Sequence, residues 1–180
     1  IMSFVISVLY QDKIVMASDG KVTSLKGETV KNDYKKIKKF KNFIIGYAGD
    51  REYCEFILKQ ISYDSPIETA CELINKIIMH IDPSNKAKFI IAGKNKFNKK
   101  IMVTIDSESL NNSQTVLSNA DLQYSFCSSP YLNGSDANEI ITNNICTNMN
   151  LGIENVLALI IKEISKLDPS VNDTIFVEKF

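Results

Sequence analysis

A serine near the start of the chain is the residue whose position could carry hydrolytic chemistry. The sequence has a single histidine, His80, so it offers little support for a Ser–His or Cys–His catalytic pair. One histidine and scattered cysteines do not supply the ligands of a zinc site. The possibility that remains is a nucleophile whose own α-amino group acts as the general base. With a pKa of about 8, such an amine suits general-base catalysis near neutral pH.

Ser3 fits this chemistry because it follows Met2, which we interpret as the natural initiator. The amine can accept a proton only when it is free, so the nucleophile must be the first residue of the mature chain. Methionine aminopeptidase normally removes a methionine that precedes a residue as small as serine. We then expect one of two situations. Either Ile1 precedes the natural start, or Ile1 and Met2 together form a short propeptide.

The residues from Ser3 to Gly20 resemble the opening of proteasome β subunits and of HslV-type peptidases, which usually begin with threonine. The spacing from the nucleophile to the Asp19-Gly20 pair matches that of the family without a gap. The resemblance continues through residues 35–37 and 46–50. It covers nearly the whole chain, and the first fifty residues are its specific part.

The resemblance implies an active site of four residues. In the family a nucleophile, an aspartate and a lysine share the site and a glycine N–H forms the oxyanion hole. By position these roles fall on Ser3, Asp19, Lys36 and Gly46. The lysine would lower the pKa of the hydroxyl and disfavour protonation of the amine, and the aspartate would hold it charged. Lys35 is the alternative, since strand alternation sends neighbours to opposite faces, but the family pattern favours Lys36.

Residues 126–131 resemble the segment that supplies a supporting serine in this family. Ser128 is the best match to that serine, and Ser129 is the alternative. The resemblance therefore implies that one of these two hydroxyls stands beside the site.

Residues 167–173 resemble the family's Asp-x-x-Ser-Gly-Asp segment, and Asp168 matches its first aspartate. Val171 stands where the family has the serine, which is a departure from the pattern. Either Ser170 or Asn172 could take over the role of the missing hydroxyl.

The composition indicates a globular protein without a general attraction to charged partners. Twenty-one basic residues balance twenty-one acidic ones, which argues against nucleic acid and anionic membranes as partners. No apolar run approaches the roughly 20 residues of a membrane-spanning helix. Four cysteines without C-x-x-C spacing predict reduced thiols in a cytoplasmic protein.

Apolar periodicity and turn signals predict the order of the elements. Strands are predicted at 4–10, 13–18, 35–40, 43–47, 88–92, 100–105, 123–127 and 173–177, with a short strand within 106–121. Helices are predicted at 50–62, with Asp50 as N-cap, and at 66–81, 135–149 and 153–167. His80 falls at the end of the second helix, and we interpret it as a helix-end residue instead of a catalytic base.

This order predicts an α+β protein with a four-layer α-β-β-α sandwich. The strands are apolar almost without interruption, which is typical of sheets covered on both faces. Two mainly antiparallel sheets flanked by helix pairs would bury all of these surfaces, and this is also the N-terminal-nucleophile hydrolase fold. Residues 1–180 are expected to form one proteasome-β-like domain, with residues 1–2 removed or foreign.

The resulting hypothesis is a peptidase that cleaves amide bonds through an acyl-enzyme on Ser3, without cofactor or metal. The resemblance implies peptides or unfolded proteins as substrates, a ring-shaped homo-oligomer and an ATPase unfoldase as a possible partner. One alternative is a non-catalytic ring-forming subunit, against which the presence of Asp19 and Lys36 argues. The other is a small-molecule amidohydrolase of the same fold, against which the β-subunit-like spacing argues weakly.

Overall fold

A computed structural model of the protein contains two antiparallel sheets packed face to face, with a pair of helices on each outer surface. The structure describes residues 3–24, 26–80, 86–109, 113–116, 122–129 and 131–180, with the backbone alone for 113–116. Ile1, Met2 and Ile81, which carry sequence predictions, lie outside the described residues, as do Pro130 and much of the stretch 106–121.

Eleven strands and four α-helices are present in the described part of the chain. The strands are β1 (Val5–Tyr10), β2 (Lys13–Asp19), β3 (Val22–Thr23), β4 (Thr29–Lys31), β5 (Ile37–Lys39), β6 (Phe43–Gly49), β7 (Ala87–Lys94), β8 (Lys100–Asp106), β9 (Ser113–Val116), β10 (Gln123–Cys127) and β11 (Ile175–Lys179). The helices are α1 (Arg51–Lys59), α2 (Ile67–Ile78), α3 (Gly134–Asn148) and α4 (Ile153–Leu167). A 3-10 turn, Met149–Leu151, separates the last two helices.

The strands form two large sheets and one small ribbon. The first sheet has the order β10-β1-β2-β11 and the second has the order β5-β6-β7-β8-β9, with antiparallel neighbours throughout. The ribbon pairs β3 with β4 in a polar stretch for which the sequence predicts no element. The α-β-β-α prediction is confirmed, and the helices and principal strands occur in the predicted order.

Three apolar layers hold this architecture together. Val5 and Leu9 of β1 face the second sheet, whereas Ile6 and Val8 of the same strand face α3 and α4. The third layer lies between α1, α2 and the outer face of the second sheet. Because each central strand is covered on both sides, its sequence is apolar at successive positions.

The helix that follows β6 begins beside the candidate site. The Asp50 carboxylate caps α1 by accepting a hydrogen bond from the Tyr53 N–H at 3.0 Å. The second helix ends at Ile78, earlier than predicted, and His80 lies exposed just beyond it with its N–H donated to the Ile77 carbonyl at 3.1 Å.

All four cysteines have free thiols. Cys54 and Cys127 are buried, Cys71 is half-buried and Cys146 is exposed. Burial raises the pKa of the Cys127 thiol to about 12, as expected for a core residue instead of a nucleophile. The helices of the described chain include none with the length and apolar character required to cross a membrane.

Candidate active site

A buried ion pair links the end of β2 to the residue before β5. The Lys36 Nζ lies 2.7 Å from Asp19 Oδ1, and the side chains are 2% and 0% exposed. Asp19 Oδ1 also accepts the Phe4 N–H at 2.9 Å, and Oδ2 accepts the Lys21 N–H at 2.8 Å. These three donors orient the carboxylate, and the carboxylate in turn positions the ammonium.

Burial acts on both partners of this pair. It lowers the pKa of Lys36 below that of an ordinary lysine, and the Asp19 carboxylate opposes part of the shift. It also raises the pKa of Asp19, against the opposing effect of the Lys36 ammonium and the two N–H donors. The ammonium is therefore easier to deprotonate than one on the surface. Lys35, by contrast, is exposed and forms an ion pair with Glu178.

Ser3 and Lys36 line one small pocket. Ser3 is buried and lies just before β1, and the next residue, Phe4, donates its N–H to Asp19. The pocket has a volume of about 30 Å³, and its walls are formed by Ser3, Val22, Thr23, Tyr34, Lys36, Tyr47, Gly49 and Arg51. The structure therefore brings together three of the residues indicated by the sequence, namely Ser3, Asp19 and Lys36.

Gly46 does not lie in this pocket. It sits within β6, where a Cβ would overlap the Val5 side chain and the Met16 sulfur of the other sheet. The Tyr47 N–H donates to the Lys36 carbonyl at 3.2 Å, so strand alternation directs the Gly46 N–H to the opposite edge, toward β7. The Gly46 N–H is therefore directed away from the pocket, and the assignment of Gly46 to the oxyanion hole stays a prediction.

Gly49 is the glycine of β6 that borders the pocket. It lines the pocket with Ser3, and its N–H lies on the same edge of β6 as that of Tyr47, beyond the end of β5. Its φ of +116° and the proximity of the Lys86 carbonyl leave no room for a side chain. The prediction missed this residue because it ended the strand at Tyr47, two residues early.

A second cluster surrounds Asp168. Its carboxylate accepts hydrogen bonds from the Ser129 hydroxyl, from the Ser170 N–H at 2.8 Å and from the Ser170 hydroxyl at 2.5 Å. All three residues are buried. Ser129, and not Ser128, is thus the serine that contacts Asp168, and Ser170 supplies the hydroxyl that Val171 lacks.

The strand register places this cluster next to the start of β1. Val5 pairs with Cys127 across β1 and β10. Continuing this antiparallel register by two residues sets Ser129 level with Ser3. Asn172 lies elsewhere, where its side chain accepts the Gly20 N–H at 2.9 Å and donates to the Asn32 carbonyl at 2.8 Å.

The polar groups of the site are thus hydroxyls, one buried ion pair, the Arg51 guanidinium and backbone N–H groups. In the described part of the chain no group of three or more histidine, cysteine or acidic side chains is arranged to hold a metal ion. An arrangement of this kind can activate a hydroxyl nucleophile and stabilise an oxyanion with its own residues.

Comparison with known proteins supports the fold at low sequence identity. No protein-family model matches the sequence, and curated protein sequences give no match. Among solved structures, eukaryotic HslV from Trypanosoma brucei matches with a TM-score of 0.67 and 14% identity, over 98% of both chains. Anbu, the ancestral β-subunit, from Yersinia bercovieri matches with a TM-score of 0.73 and 11% identity, over 98% of this chain and 80% of that one. The chain therefore has the proteasome and HslV type of fold found among N-terminal-nucleophile hydrolases.

Proposed function

We propose that this protein is an N-terminal-nucleophile peptidase that cleaves peptide or protein amide bonds through an acyl-enzyme on Ser3. The observation that carries the proposal is the buried Lys36–Asp19 pair, which adjoins the pocket that Ser3 lines. A fully buried ion pair is costly to maintain and is weak evidence for stability alone. Its location beside a buried hydroxyl supports a chemical role.

In this mechanism the free α-amine of Ser3 accepts the hydroxyl proton while Oγ attacks the substrate carbonyl. The Lys36 ammonium lowers the pKa of that hydroxyl and of the amine by its positive charge. The Gly49 N–H donates to the oxyanion as it develops. The amine then protonates the leaving nitrogen, and water attacks the acyl-enzyme to release the acid.

The cluster around Asp168 has a supporting role in this proposal. Ser129 stands level with Ser3 in the strand register, and the Asp168 carboxylate holds its hydroxyl in place. A hydroxyl fixed in this way can orient the Ser3 amine through a hydrogen bond. Ser170 contributes by holding the carboxylate from its other side.

The proposal extends to assembly and substrates because of the resemblance to proteasome β subunits and HslV-type peptidases. We propose that copies of the chain form a ring and that peptides or unfolded proteins are the substrates. An ATPase unfoldase would be the natural supplier of unfolded chains. The proposed compartment is the cytoplasm.

Removal of Ile1 and Met2 is part of the proposal, since an amidated nitrogen is not a base. We expect protein that starts at Ser3 to react with a peptide epoxyketone, which joins both the hydroxyl and the neighbouring amine. Protein that retains Ile1 and Met2 is expected to remain unmodified. Intact-mass spectrometry of the two forms, treated in parallel, measures the adduct. Equal modification of both forms, or of neither, would contradict the role of the Ser3 amine.

The pH dependence of kcat/KM follows from the same two groups. The Ser3 amine must be neutral, so activity is expected to rise as the pH increases through a value below about 8. Lys36 must be charged, and burial lowers its pKa from 10.5, so activity is expected to fall as the pH increases through a value below 10.5. Initial rates with a peptide substrate, measured across this interval, give the profile. Activity that still increases above pH 10.5 would contradict the role of the Lys36 charge.

A further inference from the structure

Two tyrosine hydroxyls meet on the wall of the pocket that Ser3 and Lys36 line. The hydroxyl oxygens of Tyr34 and Tyr47 are 2.8 Å apart, and both residues border the pocket. The Tyr34 hydroxyl also contacts the carboxylate of Glu55, on α1. An ionised carboxylate can only accept hydrogen bonds, so Tyr34 donates to Glu55 and Tyr47 donates to Tyr34. We call this hydrogen-bonded set of Tyr34, Tyr47 and Glu55 the tyrosine clamp.

The tyrosine clamp encloses the backbone of Lys36. This residue lies in the connection between β4 and β5, two positions after Tyr34. Its carbonyl accepts the Tyr47 N–H at 3.2 Å, and the Tyr34 N–H donates to the Gly20 carbonyl at 2.9 Å. The connection is therefore tied to β6 on one side and to the residue after Asp19 on the other. The contact between the two hydroxyls adds a side-chain tie between this connection and β6.

Apolar packing does not by itself fix the position of the Tyr34 ring. A second cavity, of about 230 Å³, also borders Tyr34, Tyr47 and Glu55. A side chain next to an open volume lacks packing partners on that side. Tyr47 is buried and its ring lies near that of Phe89, with centroids 6.5 Å apart, whereas Tyr34 is only half-buried. The hydroxyl contacts of Tyr34 are therefore needed to hold its ring, and with it the connection that carries Lys36.

The two hydroxyls keep their protons over the pH range in which hydrolysis is expected. Burial raises the pKa of Tyr34 and that of Tyr47 above the ordinary value for tyrosine, which is about 10. The charged groups around them are Glu55, Lys31 and Arg51. The Lys31 ammonium and the Arg51 guanidinium each lie 5.7 Å from the centre of the Tyr34 ring, and Arg51 Nε lies 3.9 Å from the Glu55 carboxylate. A change in activity between pH 7 and 10 would therefore not come from these two phenols.

We propose that the tyrosine clamp holds Lys36 in position against Ser3, and that Tyr34 and Tyr47 are positioning residues for the reaction. This inference rests on the proposed function and adds to it the groups that keep the cation in place. The ammonium must stay at Asp19 while its charge acts on the Ser3 hydroxyl. Displacing a catalytic group by about 1 Å can reduce a rate about a hundredfold, so small movements of this connection matter.

Tyr34→Phe tests this inference because it removes the central hydroxyl of the clamp and keeps the ring. For protein that starts at Ser3, we expect kcat for a fluorogenic peptide to fall about tenfold while KM changes by less than about twofold, since the positioned ammonium acts in the transition state. The alkaline limb of the kcat/KM profile is expected to move to lower pH. An ammonium farther from Asp19 loses part of the attraction that opposes the effect of burial on the pKa of Lys36. A loss of stability alone would not move this limb.

Two further variants separate the clamp from the general loss of a tyrosine hydroxyl. Tyr47→Phe removes the other partner of the same hydrogen bond, so the double variant with Tyr34→Phe is expected to be about as active as Tyr34→Phe alone. Tyr53→Phe is the matched control, because Tyr53 is a buried tyrosine of α1 that does not border the pocket. Its kcat is expected to stay within about twofold and its alkaline limb in place. Thermal unfolding identifies any variant that does not fold, and Tyr47→Phe carries the comparison if Tyr34→Phe is one of them.

The outcomes distinguish this inference from the proposed function. A folded Tyr34→Phe protein with the kcat and pH profile of the parent, and with hydrolysis that still depends on Ser3, would overturn the role of the clamp and leave the peptidase proposal intact. A loss of kcat that leaves the alkaline limb in place would also overturn it, because the ammonium would not have moved. Absence of any Ser3-dependent hydrolysis in the parent, together with absence of the epoxyketone adduct, would overturn both.

Discussion

Replacing Ser3 with alanine is expected to reduce kcat/KM by at least about a thousandfold in protein that begins at residue 3. The substitution removes the atom that forms the acyl-enzyme but keeps the free amine, Lys36 and the Gly49 N–H. Loss of the nucleophile in covalent hydrolases leaves only the catalysis supplied by binding and the oxyanion hole. Initial rates with a fluorogenic peptide substrate, together with the epoxyketone adduct measured by mass, give the effect on each step.

Ser7→Ala is the matched control for this experiment. Ser7 is a buried serine of the same strand region, and its hydroxyl has no hydrogen-bond partner among the described residues. Its replacement is expected to leave the rate within about twofold. Full activity in Ser3→Ala would move the nucleophile to another residue. Equal losses of activity in both variants would indicate that substitutions in this segment destabilise the fold. Denaturant unfolding would detect that loss of stability.

Replacing Lys36 with methionine is expected to cost about 3–5 kcal/mol of unfolding free energy and to abolish activity. Methionine approximates the length of the lysine stem, so the main change is the loss of the ammonium. The Asp19 carboxylate would then lie buried without its cation, and an uncompensated buried charge is strongly destabilising. Urea unfolding measures the first effect, and hydrolysis of the fluorogenic peptide measures the second.

The double variant Asp19→Asn with Lys36→Met separates stability from catalysis. Asparagine keeps one oxygen that can accept either the Phe4 or the Lys21 N–H, and no unpaired charge remains. We expect most of the lost stability to return while activity stays absent. Recovery of activity along with stability would contradict a chemical role for the pair. A Lys36→Met variant as stable as the parent would show that the carboxylate is neutral in the folded state.

Several features of the fold follow from local patterns that the sequence displays directly. The strand β10 and the helix α4 have the predicted bounds, because strand and helix periodicities are properties of neighbouring residues. Asp50 caps α1 as predicted, since a capping side chain needs only the backbone of the next turn. Apolar strands without alternation predicted sheets with two covered faces, and the sandwich has them.

The details of the candidate site required long-range contacts. The alternation of side chains along a strand predicts that Lys35 and Lys36 face opposite ways. The position of β2 determines that Lys36 is the one that contacts Asp19. The same argument applies to Ser128 and Ser129, because the pairing of β10 with β1 and the approach of Asp168 select the second serine.

The sequence by itself determined the α-β-β-α architecture through its hydrophobic pattern. The candidate set of Ser3, Asp19 and Lys36 came from the resemblance of the first fifty residues to proteasome β subunits, which is also visible in the linear sequence. Only the tertiary structure decided that Gly49 and Arg51, and not Gly46, border the pocket. The direction of an N–H depends on which strand edges are already paired, and pairing joins residues far apart in the chain. A pocket is likewise made by segments that the sequence separates, so its walls become known only once the sheets have packed.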